Sequence, residues 1–153
     1  MDRREMLKRS AMIAGSICLC KSLGADDPPE STCCFTPEIE KESLTFHENS
    51  VIIDLEKTST LQKTGQAAYV DYPERDANMI VVREKKNKYH ALSRHCTHGN
   101  QALSFIPERN LLQCNSYNHS IFSLDGSVWK GPAPKDIRVF EIISGNNKLE
   151  IFV

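Results

Sequence analysis

The chain has 153 residues, 40% of them hydrophobic and 25% charged, with a formal net charge of -1 at pH 7. This length suits one domain, and the composition excludes a disordered, a collagen-like and a polytopic membrane protein. The chain lacks the excess of basic residues that is typical of proteins that bind nucleic acids, which argues against a nucleic-acid partner. Six cysteines resemble a three-disulfide framework, but four of them lie in the first 34 residues. Cys96 and Cys114 therefore need a separate explanation.

Residues 1–24 have the pattern of an export signal, in which a basic end precedes a short apolar run. The run from Ser10 to Cys20 is far shorter than the roughly 20 apolar residues that span a bilayer. The segment Arg3-Arg4-Glu5-Met6-Leu7-Lys8 resembles the twin-arginine export motif. We therefore expect an exported protein in the periplasm or on the outer face of the cytoplasmic membrane. The signal is either cleaved or kept as an anchor helix that attaches the protein to the membrane; a plain amphipathic helix is the alternative.

Residues 25–49 are predicted to form a linker, because Asp26-Asp27-Pro28-Pro29-Glu30 is polar and interrupted by prolines. Within this linker, residues 36–48 have room for one short helix at most. Cys33 and Cys34 receive no role.

Residues 50–153 are predicted to form one all-β domain, because short β-branched or alternating runs are separated by polar turn residues. A small antiparallel barrel or sandwich fits these regular turns better than a helical fold. Phe105 and Trp129 are predicted to lie in its core. The expected strands are Val51–Leu55, Ala67–Tyr72, Met79–Glu84, Tyr89–Ser93, Leu111–Gln113, Ser120–Ser123, Ser127–Trp129, Arg138–Ile143 and Lys148–Val153.

Each of the two remaining cysteines is followed by a histidine: Cys96 by His98, and Cys114 by His119. Two such pairs on neighbouring loops would supply four ligands to one metal centre. Structural zinc sites usually keep like ligands together, as C-x₂₋₄-C and H-x₃₋₅-H. A [2Fe–2S] centre of the Rieske type needs the mixed pairs, because two thiolates hold one iron and two imidazoles the other.

At these residues the sequence resembles the Rieske iron–sulfur proteins, from about Val51 to Val153. Cys96 and His98 match the family's first box, Cys-x-His. Cys114 and His119 take the ligand places of its second box, although their spacing is two residues longer than usual. The segment Gly131-Pro-Ala-Pro134 resembles the family's proline loop, which covers one side of the cluster. The resemblance implies a Rieske-type β sandwich or barrel with a small cluster-binding subdomain, and one [2Fe–2S] cluster held by these four residues.

Departures from the family pattern bear on the reduction potential. High-potential members join the two ligand loops by a disulfide, but Gln101 and Ser116 stand at the corresponding positions. The serine and tyrosine hydroxyls that approach the cluster sulfurs in those members correspond to Ser120 and Phe122. Ser120 is therefore predicted to donate a hydrogen bond to the cluster, whereas Phe122 removes the second donor. Because such bonds stabilise the reduced form, the sequence predicts an intermediate potential.

The resemblance implies one-electron transfer, with turnover belonging to a partner subunit rather than to this chain alone. The first hypothesis is the iron–sulfur subunit of an exported respiratory complex that oxidises quinol, with cytochrome b and a cytochrome c-type subunit as partners. There His98 or His119 would hydrogen-bond the quinol. The second is the small subunit of an exported molybdenum oxidase of the arsenite-oxidase type, beside a molybdopterin subunit. The third is a zinc-stabilised binding module without a redox role.

Overall fold

The structure is a computed structural model that describes residues 36–153. The predicted signal and the first part of the predicted linker lie outside these residues. Within them, two 3-10 turns, Lys41–Ser43 and Pro73–Arg75, accompany eleven strands. The strands are β1 Leu44–Phe46, β2 Ser50–Asp54, β3 Gln66–Tyr72, β4 Ala77–Lys85, β5 Lys88–Ser93, β6 Leu103–Ile106, β7 Leu111–Cys114, β8 Ile121–Ser123, β9 Val128–Lys130, β10 Val139–Gly145 and β11 Lys148–Phe152.

The strands form two antiparallel sheets, which confirms the all-β prediction. The larger sheet has the order β1-β2-β11-β10-β5-β4-β3, and the smaller has the order β6-β7-β8-β9. The two edges of the larger sheet approach each other, because the rings of Phe46 on β1 and Tyr72 on β3 lie 4.9 Å apart. The larger sheet is thus close to a barrel. Among the described residues, no helix has the length and apolar character needed to cross a bilayer.

Two apolar layers hold the fold together, and β4 contributes to both. Met79 and Val81 point into the interior of the larger sheet. Ile80 and Val82 point the other way, toward the smaller sheet. All four side chains are fully buried, because successive residues of a strand face opposite sides and each side is covered here. This explains why β4 is a continuous apolar run instead of an alternating one.

The second apolar layer joins the smaller sheet to the larger one. Ile80 and Leu92 of the larger sheet pack in one cluster with Leu112 and Phe122 of the smaller sheet. The Tyr69 hydroxyl also donates a hydrogen bond to the carbonyl oxygen of Leu103, at 2.8 Å. The smaller sheet is therefore fixed on the face of β3, β4 and β5, and its connecting loops carry the predicted metal ligands.

The packed fold extends further toward the N-terminus than residue 50, the predicted start of the domain. Ile39 is buried in the core of the larger sheet. The N–H of Tyr69 on β3 donates to the Pro37 carbonyl at 2.8 Å, and the N–H of Ile39 donates to the Tyr69 carbonyl at 3.0 Å. Strand β1 also lies in this predicted linker, so residues from 36 onward contribute to the fold.

Each of the nine expected strands overlaps an observed strand, but two observed strands were not expected. Strand β1 has three residues at a sheet edge. Strand β6 has four residues that are all buried, so it shows no alternation of polar and apolar side chains. Phe105 lies in the core as predicted, at 4% exposure, whereas the prediction for Trp129 is wrong because 56% of this residue is exposed. Trp129 lies on β9, the outer strand of the smaller sheet, where nothing covers it among the described residues.

Candidate metal centre

The predicted ligands lie on two loops that we name by their residues. The first ligand loop, residues 94–102, connects β5 to β6. The second ligand loop, residues 114–120, begins at the last residue of β7 and leads into β8. Because β6 and β7 are paired, with Leu103 opposite Cys114, the two loops emerge side by side from the same end of the smaller sheet.

The first ligand loop is closed by main-chain hydrogen bonds around Cys96. Its N–H donates to the Gln101 carbonyl at 2.8 Å, and its own carbonyl accepts from the Asn100 N–H at 2.9 Å. Asn100 has φ of 56°, a left-handed conformation that asparagine tolerates better than most residues. The turn that follows buries the Cys96 side chain and leaves His98 exposed.

The second ligand loop is closed in a similar way around Cys114. The Cys114 N–H donates to the Ser120 carbonyl at 2.8 Å, and the His119 N–H donates to the Ser116 carbonyl at 3.2 Å. His119 adopts φ of 37°, which turns the chain back toward β8 after the two additional residues. The Asn115 N–H donates to the Ala102 carbonyl at 3.0 Å, so this bond joins the second ligand loop to the first.

A third segment, the proline loop of residues 131–135, packs against both ligand loops. The Thr97 hydroxyl donates to the Lys135 carbonyl at 2.6 Å. The Ala133 N–H donates to the buried hydroxyl oxygen of Ser120 at 3.1 Å. Gly131 has φ of 105°, and a Cβ atom there would lie 2.7 Å from the Cα of Ser120. Only glycine allows the proline loop to approach the second ligand loop this closely.

Three of the four predicted ligands come together in the structure. The Sγ atoms of Cys96 and Cys114 and a ring nitrogen of His98 all lie within 4.8 Å of one another. His119 is outside this group: its Nδ1 lies 3.1 Å from the carbonyl oxygen of Cys114. With the proton on Nδ1, this ring donates to that carbonyl and keeps an unprotonated Nε2. The role of His119 as fourth ligand stays a prediction.

The surroundings of Cys114 favour its protonated thiol. The side chains of Cys96 and Cys114 are both free and buried. Burial raises the pKa of the Cys114 thiol, and the adjacent Cys96 acts in the same direction, while hydrogen bonding from Ser116 opposes the rise. Because a metal centre binds thiolates, loading this site must release the thiol protons.

The donors fit a mixed cluster site. Two buried sulfurs supply the soft anionic ligands that iron–sulfur clusters require. His98 and His119 are both exposed, and their imidazole rings would supply the nitrogen ligands of such a cluster. Since the cysteine comes before the histidine on each loop, each loop is able to contribute one sulfur and one nitrogen, as the mixed ligation of a Rieske cluster requires.

Some contacts near the ligands could not be identified from the sequence. Ser116 places its hydroxyl oxygen 3.2 Å from the Sγ of Cys114, and the Ser104 hydroxyl donates to Oδ1 of Asn115 at 2.9 Å. Arg94, just before the first ligand pair, forms an ion pair with Glu38 at 2.9 Å and lies over the ring of Tyr69. No motif marks these residues, because the contacts depend on how the loops fold.

Known structures with a similar fold include a plasma membrane Rieske protein, a dioxygenase ferredoxin and a chain of a respiratory complex. The cyanobacterial plasma membrane Rieske protein PetC3 from Synechocystis PCC 6803 is 19% identical with a TM-score of 0.50, over 57% of this chain and 86% of that one. The ferredoxin of carbazole 1,9a-dioxygenase from Nocardioides aromaticivorans IC177 is 19% identical with a TM-score of 0.53, over 61% and 92%. A chain of a hyperthermophilic respiratory Complex III is 20% identical with a TM-score of 0.50, over 64% and 71%.

The sequence itself matches a family model over most of the β domain. No curated protein matches the chain at a significant level. The model of the Rieske [2Fe-2S] domain matches residues 52–141, a range that contains both ligand loops and the proline loop. This chain therefore belongs to the Rieske family, in which a [2Fe–2S] cluster is the cofactor and electron transfer is the function.

Proposed function

We propose that this protein is the iron–sulfur subunit of an exported respiratory complex, in which it takes single electrons from quinol and passes them to a cytochrome. Cys96 and Cys114 hold one iron, and His98 and His119 hold the other. When bound, the cluster supplies a centre that is reduced and reoxidised by one electron at a time. The finding that carries this proposal is the separation of the ligands: the two cysteines are 2% and 0% exposed, whereas both histidines are exposed.

The separation leaves one side of the site accessible to a redox partner. The protein interior surrounds the sulfur side, where Leu103 and Phe122 pack in the same apolar cluster as Cys96 and Cys114. On the opposite side, a redox partner or a quinol is able to approach the imidazole rings directly. Tyr117, between the two ligands of the second loop, is 96% exposed and offers an aromatic contact at this edge.

Three observations support a respiratory complex in particular. The fold is similar to a chain of a respiratory Complex III and to a plasma membrane Rieske protein. The Gly131-Pro-Ala-Pro134 segment resembles the proline loop of the cytochrome bc-type branch. The paired arginines Arg3 and Arg4 fit export by the twin-arginine route, which carries folded proteins with their cofactors inserted.

A second function is favoured by the residues around the sulfurs. Gln101 and Ser116 replace the cysteines of the disulfide in high-potential members, and Phe122 replaces the tyrosine. A lower potential suits the small subunit of an exported molybdenum oxidase, where the electron comes from a molybdopterin subunit.

A redox titration of the purified, cluster-loaded chain tests the predicted potential, and an electron-donor assay distinguishes the two functions. Loss of the family's disulfide and of one hydroxyl donor predicts a midpoint potential below about +250 mV, near the upper part of the range for Rieske centres. A value above this limit would contradict the prediction.

Reduction by a quinol analogue in the presence of the membrane fraction supports the respiratory complex. Failure with quinol, together with reduction by a molybdenum subunit encoded nearby, supports the alternative.

Paramagnetic resonance tests the cluster itself. The dithionite-reduced protein is expected to give a rhombic signal whose average g value is lower than that of an all-cysteine cluster, because two imidazoles replace two thiolates. Iron and acid-labile sulfide should each reach two per chain. A silent protein that contains one zinc ion per chain would show the zinc-stabilised binding module instead.

A further inference from the structure

Ser116 contacts both predicted ligands of the second ligand loop. Its hydroxyl oxygen lies 3.2 Å from the Sγ of Cys114, and its main-chain carbonyl accepts the His119 N–H at 3.2 Å. The side chain is half-buried, so the hydroxyl is partly shielded from water. Among the hydrogen bonds of residues 36–153, this is the contact that joins a hydroxyl group to a cysteine sulfur.

We propose that Ser116 is a positioning residue that raises the reduction potential of the cluster by donating its hydroxyl hydrogen to the Sγ of Cys114. This inference rests on Cys114 being a cluster ligand. A ligated cysteine is a thiolate, which accepts a hydrogen bond and has no proton to donate. The serine must then be the donor in this pair. The bond is stronger when the acceptor carries more negative charge, so it stabilises the reduced state more than the oxidised state.

The loop is built so that this hydroxyl faces the sulfur. The preceding residue, Asn115, is fixed by its N–H to the Ala102 carbonyl and by its side chain to the Ser104 hydroxyl. The following residue, Tyr117, is 96% exposed and points into solvent. With Asn115 held on one side and the His119 N–H bonded to the Ser116 carbonyl on the other, the main chain of Ser116 is held in a position from which its hydroxyl reaches Cys114.

Ser116 lies two residues after Cys114 in the second ligand loop. Family members with a disulfide between the loops carry a cysteine at this position, and here a hydroxyl contacts the ligand sulfur instead. A second hydroxyl near the site belongs to Ser120, whose oxygen accepts the Ala133 N–H at 3.1 Å. Ser116 is expected to tune the potential separately from Ser120, because its own hydroxyl contacts the Sγ of Cys114.

The test is a mediator-coupled redox titration of the loaded Ser116→Ala variant, followed by paramagnetic resonance. We expect the ratio of reduced to oxidised protein at a fixed potential to fall about tenfold, which is about 59 mV for a one-electron couple. The control is Ser127→Ala, because the Ser127 hydroxyl is bonded to Asp125 at 2.6 Å on the β8–β9 turn. The control should titrate like the wild type. An unchanged midpoint in a fully loaded Ser116→Ala protein would overturn the proposal.

A second pair of variants decides the matter if Ser116→Ala does not hold the cluster. Ser116→Thr keeps the hydroxyl and Ser116→Val has nearly the same shape without it, so their comparison isolates the hydrogen bond. We expect the midpoint of the threonine variant to lie above that of the valine variant, and equal midpoints would refute the donor role. Mediators and dithionite replace the natural redox partners, so failure of the quinol-oxidising function would leave this result unaffected. If the four residues did not bind a Rieske cluster, the wild-type protein itself would lack the expected paramagnetic resonance signal.

Discussion

The two ligand loops carry the same pair of residue types but hold them differently. In the first loop, one residue separates Cys96 from His98, and the structure places both beside Cys114. In the second loop, four residues separate Cys114 from His119, and the histidine ring faces the Cys114 carbonyl instead. A short spacing fixes both ligands through one turn of main chain. A longer spacing fixes the cysteine at the end of a strand and leaves the histidine to be positioned by other contacts.

Replacing the ligands should have the largest effect and compare the loops directly. Cys96→Ser and Cys114→Ser should each lose most of the bound iron, because a hydroxyl is a poor substitute for a thiolate ligand. His98→Gln and His119→Gln should lose it as well if both rings bind iron. The measurement is the iron and sulfide content with the visible spectrum of the purified variants.

His119→Gln is the informative case among these four. A fully loaded His119→Gln protein with an unchanged resonance signal would show that His119 is not a ligand. His47→Gln serves as the control, because His47 lies at the end of β1 in the larger sheet and outside the ligand loops. It should bind the cluster like the wild type.

The next largest effect is on the stability of the domain and comes from two glycines, one in the first ligand loop and one in the proline loop beside the second ligand loop. Gly131→Ala should destabilise the domain by about 1–3 kcal/mol, because alanine is strained at φ of 105° and its Cβ would meet the main chain of Ser120. Gly99→Ala, on the first ligand loop, should change the stability by less than about 0.5 kcal/mol, since an added Cβ meets nothing within 4 Å. Denaturant unfolding of the cluster-free protein measures both. If Gly131→Ala and Gly99→Ala were equally stable, the result would contradict the conclusion that a close main-chain approach occurs at the second ligand loop and not at the first.

The smallest effect comes from the hydroxyls that join each loop to the proline loop. Ser120→Ala should cost about 0.5–1.5 kcal/mol, because the half-buried N–H of Ala133 loses its hydroxyl acceptor. Thr97→Val should cost less than about 0.5 kcal/mol, because water is able to replace this exposed bond to Lys135. The same unfolding experiment compares them. A larger loss in Thr97→Val would mean that the first loop depends on the proline loop more than the second does.

Most strands and the types of the ligand residues could be predicted from the sequence, but the conformations of the loops could not. Strands such as β3 and β11 have runs of β-branched, aromatic and alternating residues that identify them locally. Strand β6 could not be recognised, because its burial comes from two different neighbours: β7 pairs with it, and Tyr69 bonds to its first residue. The sequence predicts Trp129 to lie in the core, but the outer position of β9 leaves it exposed.

The ligand loops show the same limit at a finer scale. The Cys-x-His spacing predicts the first pair, because two residues on one turn remain neighbours in any fold. The contact between Ser116 and Cys114 depends on the left-handed conformation of His119 and on bonds from Asn115 to Ala102 and Ser104. These are interactions between separate segments, and their geometry is not encoded in a local pattern.

The segment from residue 37 to residue 39 also protects the fold against self-association. Its hydrogen bonds cover β3, which would otherwise present an open edge to another chain. The same segment carries Glu38, the ion-pair partner of Arg94 beside the first ligand loop. Removing residues 1–35 would therefore keep both the covered edge and this ion pair. A chain that begins after Glu40 would expose β3 and favour aggregation through strand pairing, even with every cluster ligand in place.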